Sequence, residues 1–222
     1  MRQPNPFYLS LLAGLLLSGC ASQTTQPTQF SGYLADYSQL QPAVSANGTP
    51  VLRWISPDFK AERYTSLYVE RPSFYPQPTP SDQVSEQTLE QVRDYLHQAL
   101  MRELQDGRMK LVDTPTRDSL VLRSAITGVT VSTEGLKAYE VIPVALVIAA
   151  ATTAAGTRDR KSEIYIELEA VDARNSTPVL RVVRKGHGLA LENSTTQLGL
   201  NDLKPVLDVW ARDARNFHPD IR

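Results

Sequence analysis

An alternation of apolar and polar residues in the C-terminal half is the feature that most constrains the fold. From residue 163 to residue 170 every second side chain is apolar, and the residues between them are mostly acidic (Ile164, Ile166, Leu168 and Ala170 against Glu163, Tyr165, Glu167 and Glu169). A turn-rich stretch follows, and alternation returns after residue 178. This period of two is typical of strands with one buried face. It predicts a hairpin over 162–189, with the acidic outer face paired to Arg181 and Arg184.

Two other segments have the apolar spacing of amphipathic helices. Over 81–106 apolar residues recur at three- and four-residue steps, with Ser81 and Asp82 as N-cap candidates. A second helix is predicted over about 202–217, with Trp210 in the middle of its buried stripe. Both segments are therefore expected to cover a sheet.

Shorter apolar runs predict further strands over 65–70, 109–113 and 120–131. In the last of these the apolar positions change from even to odd numbers at Gly128, which predicts a β-bulge there. Four prolines within 71–80 predict an extended connector. Together these elements predict an α+β fold, a mixed or antiparallel sheet with helices packed on it.

The N-terminus has the features of a targeting segment. Arg2 precedes an apolar run over 7–17, which is too short to span a bilayer. The run ends in Leu17-Ser-Gly-Cys20, and Cys20 is the single cysteine of the chain. This stretch resembles the bacterial lipobox, which implies cleavage between Gly19 and Cys20 and lipidation of Cys20. The alternative is an ordinary signal peptide followed by a free cysteine, which is unusual in an oxidising compartment.

The predicted organisation has three parts. Residues 1–19 form the lipoprotein signal peptide, residues 20–29 the lipidated cysteine and a flexible tether, and residues 30–222 a single α+β domain. Ala21 follows the cysteine. By similarity to bacterial sorting rules, a residue other than Asp at this place implies the outer membrane. We therefore expect a lipid-anchored protein on the periplasmic face of the outer membrane.

The stretch over 141–155 contains no charged residue. As a helix it would be about 22 Å long, short of a hydrocarbon core of about 30 Å. Three interpretations remain open: a helix buried against the sheet, a contact between subunits of a homo-oligomer, and a segment that inserts into a membrane on assembly.

The composition argues against several functions. There are 23 Lys and Arg against 24 Asp and Glu, so the electrostatic argument for nucleic-acid binding is missing. His97, His187 and His218 have no partner at metal-ligand spacing. No catalytic residue, metal or cofactor is predicted, and the protein is not expected to be an enzyme. An envelope hydrolase without a recognisable motif stays an alternative, which His187 in a pocket with a carboxylate and a hydroxyl would favour.

Three stretches resemble a family of bacterial lipoproteins of unknown function, DUF3313. They are Ser31-Gly-Tyr-Leu-Ala-Asp-Tyr-Ser-Gln-Leu40, Asp118-Ser-Leu-Val-Leu-Arg-Ser-Ala-Ile-Thr127 and Tyr139-Glu-Val-Ile-Pro143. The resemblance covers nearly all the mature chain. It implies an envelope lipoprotein and brings no catalytic residue to carry over.

The order of elements is also similar to that of envelope lipoproteins that activate peptidoglycan synthases or form the curli secretion pore. Those proteins bind other proteins, so this likeness implies an interaction or structural module with a partner in the envelope. A self-assembling lipoprotein that uses 141–155 for oligomer contact or membrane insertion is the alternative.

Overall fold

The computed structural model describes residues 24–133, 160–193 and 195–218. Within these residues eight strands form one sheet and two α-helices pack on it. The strands are β1 (Gln41–Val44), β2 (Pro50–Ile55), β3 (Ser66–Val69), β4 (Ser73–Phe74), β5 (Lys110–Leu111), β6 (Ser119–Thr133), β7 (Arg160–Asp172) and β8 (Pro178–His187). The helices are α1 (Glu86–Leu104) and α2 (Leu200–Arg215). The predicted α+β class is confirmed.

The sheet is mixed, with strand order β1-β2-β8-β7-β6-β3-β5. Its long central part, β2-β8-β7-β6, is antiparallel. On the far side β3 runs parallel to both β6 and β5, and β4 adds a second short parallel segment along β6. The predicted extended connector over 71–80 therefore contributes a strand, because Ser73 and Phe74 pair with Ala125 and Ile126.

The predicted hairpin is confirmed as β7 and β8, which pair antiparallel from Glu163↔His187 to Val171↔Pro178. The predicted bulge is confirmed as well, since the β6–β7 register shifts between Ile126 and Gly128. A Cβ atom at Gly128 would lie 3.0 Å from the ring of Tyr165, so a glycine gives that ring its space.

Both helices lie on one side of the sheet, which we call the helix face. Trp210 of α2 is 5% exposed and belongs to the core, as predicted. The approach of α2 depends on Gly186 of β8, where a Cβ atom would lie 2.2 Å from a methyl carbon of Val206. The opposite side of the sheet is called the second face below.

The start of α1 differs from the prediction. Ser85, and not Ser81 or Asp82, is the N-cap, and its hydroxyl accepts a hydrogen bond from the Thr88 amide at 3.0 Å. Ser81 and Val84 instead close a turn through reciprocal backbone hydrogen bonds. Serine side chains accept hydrogen bonds from backbone amides both in turns and at helix N-caps. The sequence pattern therefore placed the N-cap at Ser81, one helical turn before the observed N-cap Ser85.

The pairing predicted for Arg184 is also wrong. Because side chains alternate along a strand, Arg181 and Arg184 of β8 point to opposite faces. Arg184 lies on the helix face and pairs with Asp213 of α2 at 2.8 Å. The predicted residues Gly19 and Cys20, and the apolar stretch over 141–155, lie outside the described residues. Among the residues that are described, neither helix has the length and hydropathy of a membrane span.

Candidate functional site

A cavity of about 340 Å³ lies between the helix face and the C-terminal halves of both helices. Leu96, Leu100 and Leu104 of α1 line one wall, and Trp210 and Asp213 of α2 line another. Its floor is formed by apolar residues of the three long strands (Leu120, Leu122, Ile166, Leu168, Ala170, Leu180 and Val182). It is a mostly apolar pocket of the size that small ligands occupy.

The cavity exists because the helices cover only part of the sheet. At the end of β8, Gly186 and Gly188 allow Val206, Trp210 and Leu203 of α2 to approach closely. Farther along the same strands the helix face is less completely covered. Leu168 and Val182 there are only half-buried, although β7 and β8 are central strands.

A buried ion pair stands at one wall of the cavity. The side chains of Arg184 and Asp213 are 7% and 6% exposed, and Arg184 also lies 5.1 Å from the centre of the Trp210 ring. The other carboxylate oxygen of Asp213 accepts a hydrogen bond from the Asn47 amide at 2.8 Å. Burial lowers the pKa of Arg184, and the Asp213 carboxylate opposes this effect. Both carboxylate oxygens of Asp213 thus accept a hydrogen bond from the protein.

Arg53 of β2 is the second arginine of the cavity wall. It is 9% exposed, its guanidinium donates to the Val44 carbonyl at 3.4 Å, and it lies 6.0 Å from the centre of the Phe217 ring. Burial lowers the pKa of Arg53 as well. The cavity therefore combines a long apolar floor with a cationic group.

The second face is closed by the N-terminal segment, defined here as residues 25–37. The Ser31 amide and the Tyr37 hydroxyl donate to the two carboxylate oxygens of Glu167, at 2.8 and 2.5 Å. The same hydroxyl accepts from the amides of Gly32 and Leu34. Glu167 is 1% exposed. Its predicted pairing with the arginines of β8 is therefore wrong, because the chain's own N-terminal segment supplies the donors.

The packed body also includes part of the predicted tether. Thr25 is 3% exposed, and Gln29, in a short 3-10 helix over Pro27–Gln29, donates to the Tyr165 hydroxyl at 3.2 Å. Farther along the segment, Ser31 contacts Glu167 of β7, and Asp36 pairs with Arg181 of β8 at 3.4 Å.

Tyrosines of the second face are held in their neutral form. Burial and the hydrogen bond to Glu167 raise the pKa of Tyr37 to about 12. Burial and the nearby Glu169 raise the pKa of Tyr33 to about 12. Burial and Glu163 raise the pKa of Tyr165 far above its ordinary value. Neutral phenols can donate hydrogen bonds to these carboxylates throughout the physiological pH range.

One predicted cross-strand pair is observed. Arg181 lies directly opposite Glu169, with 4.0 Å between the guanidinium Nε and a carboxylate oxygen. The guanidinium also lies 5.2 Å from the centre of the Trp54 ring on β2.

The three histidines are not brought together. His187 lies 3.4 Å from Glu163, whose other oxygen accepts from the Tyr165 hydroxyl at 2.6 Å, but the His187 side chain is 53% exposed and outside the cavity. His97 is half-buried on α1, and His218 is exposed. Across the described ranges no three His, Cys, Asp or Glu residues are grouped as metal ligands would be.

Sequence reasoning missed both Arg53 and Asp213. Arg53 lies between the apolar Val51 and Ile55 at two-residue spacing. In a strand this spacing places all three side chains on the same face, so the pattern could have predicted that Arg53 faces the helices. Asp213 lies three residues after Trp210 on the apolar stripe of α2, which is an unusual place for a carboxylate.

These features define an α+β protein with a cavity on one face of its sheet and its own N-terminal segment on the other. The family model for proteins of unknown function DUF3313 matches residues 29–214, and the chain belongs to that family. It is 43% identical over 218 residues to the uncharacterized lipoprotein YdcL of Escherichia coli K12, covering 98% of each chain, and equally similar to the same protein of strain O157:H7. The chain is a DUF3313 lipoprotein.

Solved structures give weaker likenesses. Two PelC dodecamers from Paraburkholderia phytofirmans match at TM-scores of 0.35 and 0.37, with 12% and 10% identity, covering 74% and 76% of this chain and 95% and 98% of theirs. A putative neuraminyllactose-binding hemagglutinin homolog from Helicobacter pylori matches at a TM-score of 0.42 and 11% identity, covering 68% of this chain and 79% of its own.

Proposed function

We propose that this protein is anchored in the outer membrane through acyl chains on Cys20, faces the periplasm and acts as a protein-interaction or structural module of the envelope. The lipoprotein relatives support an envelope location. Leu17-Ser-Gly-Cys20 supports Cys20 as the acylated residue, and Ala21 supports the outer membrane. Several acyl chains together give stable anchoring, since each buried CH₂ contributes about 0.8 kcal/mol.

The observation that carries this proposal is the attachment of the N-terminal segment to the sheet. Only five residue steps separate Cys20 from the buried Thr25. A fully extended chain spans at most about 3.6 Å per residue, so the link reaches no more than about 18 Å. The body is therefore held close to the membrane surface, which is the geometry of a module that meets partners at the membrane.

An aromatic pair with one exposed ring is a suitable contact for an envelope partner. Tyr75 is 42% exposed and packs edge-on against Tyr33, with 5.8 Å between the ring centres. Tyrosines are enriched in protein interfaces because they offer a large rigid surface and a polar tip. Tyr33 belongs to the N-terminal segment, so this pair borders the part of the body nearest to the anchor.

The anchor is tested by labelling cells with a palmitate analogue and separating the two membranes. We expect label on the wild type and on Ser22→Ala, a matched control next to the lipidation sequence. Cys20→Ala is expected to lose the label and to leave the outer membrane. Ala21→Asp is expected to keep the label and move to the inner membrane. A labelled Cys20→Ala chain, or wild type in the soluble fraction, contradicts the proposal.

The interaction role is tested by photo-crosslinking in cells. A photoreactive amino acid at position 75 is expected to give a discrete crosslinked product, and one at the exposed Gln91 of α1 serves as the control. Tyr33→Ala is expected to weaken the product at position 75. No product at 75 above the yield at 91 counts against this surface.

A second candidate is a self-assembling protein that uses residues 141–155. Thr133 and Arg160 are paired residues of β6 and β7, so both ends of the connecting segment start at one end of the sheet. The contact between Gln29 and Tyr165 places the N-terminal segment toward that same end. Flotation of Cys20→Ala protein with liposomes tests membrane insertion, and we expect Val147→Asp to abolish any binding. Native mass spectrometry of the same chain tests oligomer formation.

A further inference from the structure

We propose that the cavity on the helix face binds a single-chain anionic amphiphile, with its aliphatic chain between sheet and helices and its charged head group at Arg53. A free fatty acid and a single-chain phospholipid share this chemistry. The proposal concerns a face of the sheet other than the one the N-terminal segment occupies, so it does not depend on the anchor or on the partner.

The size and lining of the cavity suit an aliphatic chain. An apolar cavity of about 150 Å³ already holds benzene, and this one is about 340 Å³. Leu168 and Val182 on its floor keep accessible surface, although they belong to central strands. Covering such surface is favourable in proportion to the apolar area removed from water. A chain of methylene groups would cover it without leaving a buried polar group unpaired.

The charges around the cavity favour an anionic head group. Its wall contains four arginines and two carboxylates (Arg53, Arg108, Arg184 and Arg215; Glu62 and Asp213). Asp213 is already paired with Arg184, and Arg215 pairs with Glu103 of α1 at 3.5 Å, which leaves Arg53 and Arg108 against Glu62 in the wall. The described wall therefore keeps an excess of positive charge, and guanidinium groups bind carboxylates and phosphates through paired hydrogen bonds.

The position of Arg53 fixes the orientation of the ligand. Arg53 lies on β2, and its guanidinium contacts Val44, two residues before the exposed Ala46 of the wall, whereas Leu96 and Ile166 lie in the buried interior. A head group at Arg53 would therefore be close to solvent, while the chain extends inward. Burial lowers the pKa of Arg53, and a bound anion would favour its charged form.

Trp210 provides the means of testing this proposal. The chain has two tryptophans, and Trp54 lies on the second face with Arg181. In a Trp54→Phe background Trp210 is the only indole, and it lines the cavity. The full lipidated chain is reconstituted in nanodiscs of phosphatidylcholine and titrated with palmitate, with lysophosphatidylglycerol and with the neutral hexadecanol. We expect a saturable change of Trp210 fluorescence with one or both anions, and the tighter of the two identifies the source of the ligand.

Two variants connect the signal to the site. Arg53→Met is expected to weaken anion binding about tenfold or more, because it removes a charge-assisted contact, and to leave hexadecanol binding unchanged. Val182→Phe is expected to abolish binding by filling the cavity, whereas Leu189→Phe, at an exposed position outside the cavity lining, also introduces a phenyl ring without effect. Thermal unfolding verifies that each variant is folded.

Three results would overturn the proposal. One is the absence of any saturable change, as expected if the chain itself occupies the cavity. Another is equal affinity for palmitate and hexadecanol in the wild type. A third is anion binding that survives Val182→Phe in a folded protein. None of these results depends on Cys20 lipidation or on a partner at Tyr75, so failure here is distinguishable from failure of the proposed function.

Discussion

The two faces of the central strands are closed in different ways. On the second face the N-terminal segment lies on the sheet, and its amide and phenol groups engage the buried Glu167. On the helix face α1 and α2 leave a cavity of about 340 Å³ beside the buried pair Arg184–Asp213. Neighbouring residues of one strand thus point alternately to the N-terminal segment on the second face, the filled face, and to the cavity on the helix face, the unfilled face. The filled face suits a structural contact, and the unfilled face suits a ligand.

The largest effect is expected at the buried ion pair of the helix face. Asp213→Ala leaves Arg184 buried without its carboxylate, so the free energy of unfolding should fall by about 3–5 kcal/mol. Urea denaturation measures this change. Asp94→Ala is the control, because Asp94 pairs with Arg71 at the exposed surface and such pairs contribute about 0–1 kcal/mol. Equal losses in both variants would contradict the account.

The double variant Arg184→Met, Asp213→Leu sharpens this result. Replacing both charges by apolar groups removes the unpaired charge and should restore most of the stability lost in Asp213→Ala. A double variant as unstable as the single one would show that the loss comes from packing around α2 and not from charge burial.

The next effect compares adjacent residues on opposite faces. Val183 is 1% exposed on the second face, so Val183→Leu should destabilise the protein by about 1–3 kcal/mol through overpacking. Val182 lines the cavity, where one extra methylene group has room, and Val182→Leu should leave the stability unchanged or raise it slightly. Thermal unfolding of both variants measures the difference, and equal destabilisation would contradict the contrast between the faces.

A third prediction concerns the phenol that joins the N-terminal segment to Glu167. Tyr37→Phe removes one donor from a buried carboxylate, and we expect a loss of about 1–3 kcal/mol. Tyr75→Phe is the matched control, since Tyr75 is 42% exposed and its hydroxyl is expected to contribute little. Chemical denaturation measures both variants. Identical stabilities would mean that the segment is not held through this hydroxyl.

The smallest effect is a difference in pH dependence. The pKa of Tyr37 is about 12 in the folded chain and near its ordinary value of 10 when unfolded. Between these values the folded state binds more protons, so this contribution to stability is present below pH 10 and is lost as the pH rises toward 12. Stability measured from pH 9 to 12 should therefore decrease more steeply in the wild type than in Tyr37→Phe. Parallel curves would contradict the assignment.

Local patterns predicted the central elements because their periodicity comes from the buried core. The alternation over β7 and β8, the helical spacing of α1 and α2 and the shift of register at Gly128 are all readable within short windows. Their bounds moved by a few residues, as with the N-cap at Ser85, since turns and caps use the same residue types.

Long-range contacts could not be predicted in the same way. Glu167 and Tyr37 are 130 residues apart, and nothing near either residue indicates the other. The alternation around Glu167 suggested an acidic outer face paired with the arginines of β8, because acidic residues rarely lie in a core without hydrogen-bond donors. The cavity beside Arg53 depends on how far α1 and α2 extend over the sheet, which no residue pattern of either helix specifies.

Hydrogen exchange of the N-terminal segment tests the central claim most directly. The amides of Ser31, Gly32 and Leu34 donate hydrogen bonds to Glu167 and Tyr37, and their exchange is measured in the full chain. The account predicts that they exchange at least about a hundredfold more slowly than in an unstructured peptide, and that Tyr37→Phe speeds them while β7 stays protected. Exchange of these amides at unprotected rates in the wild type would contradict it, because the N-terminal segment would then not be bound to the sheet.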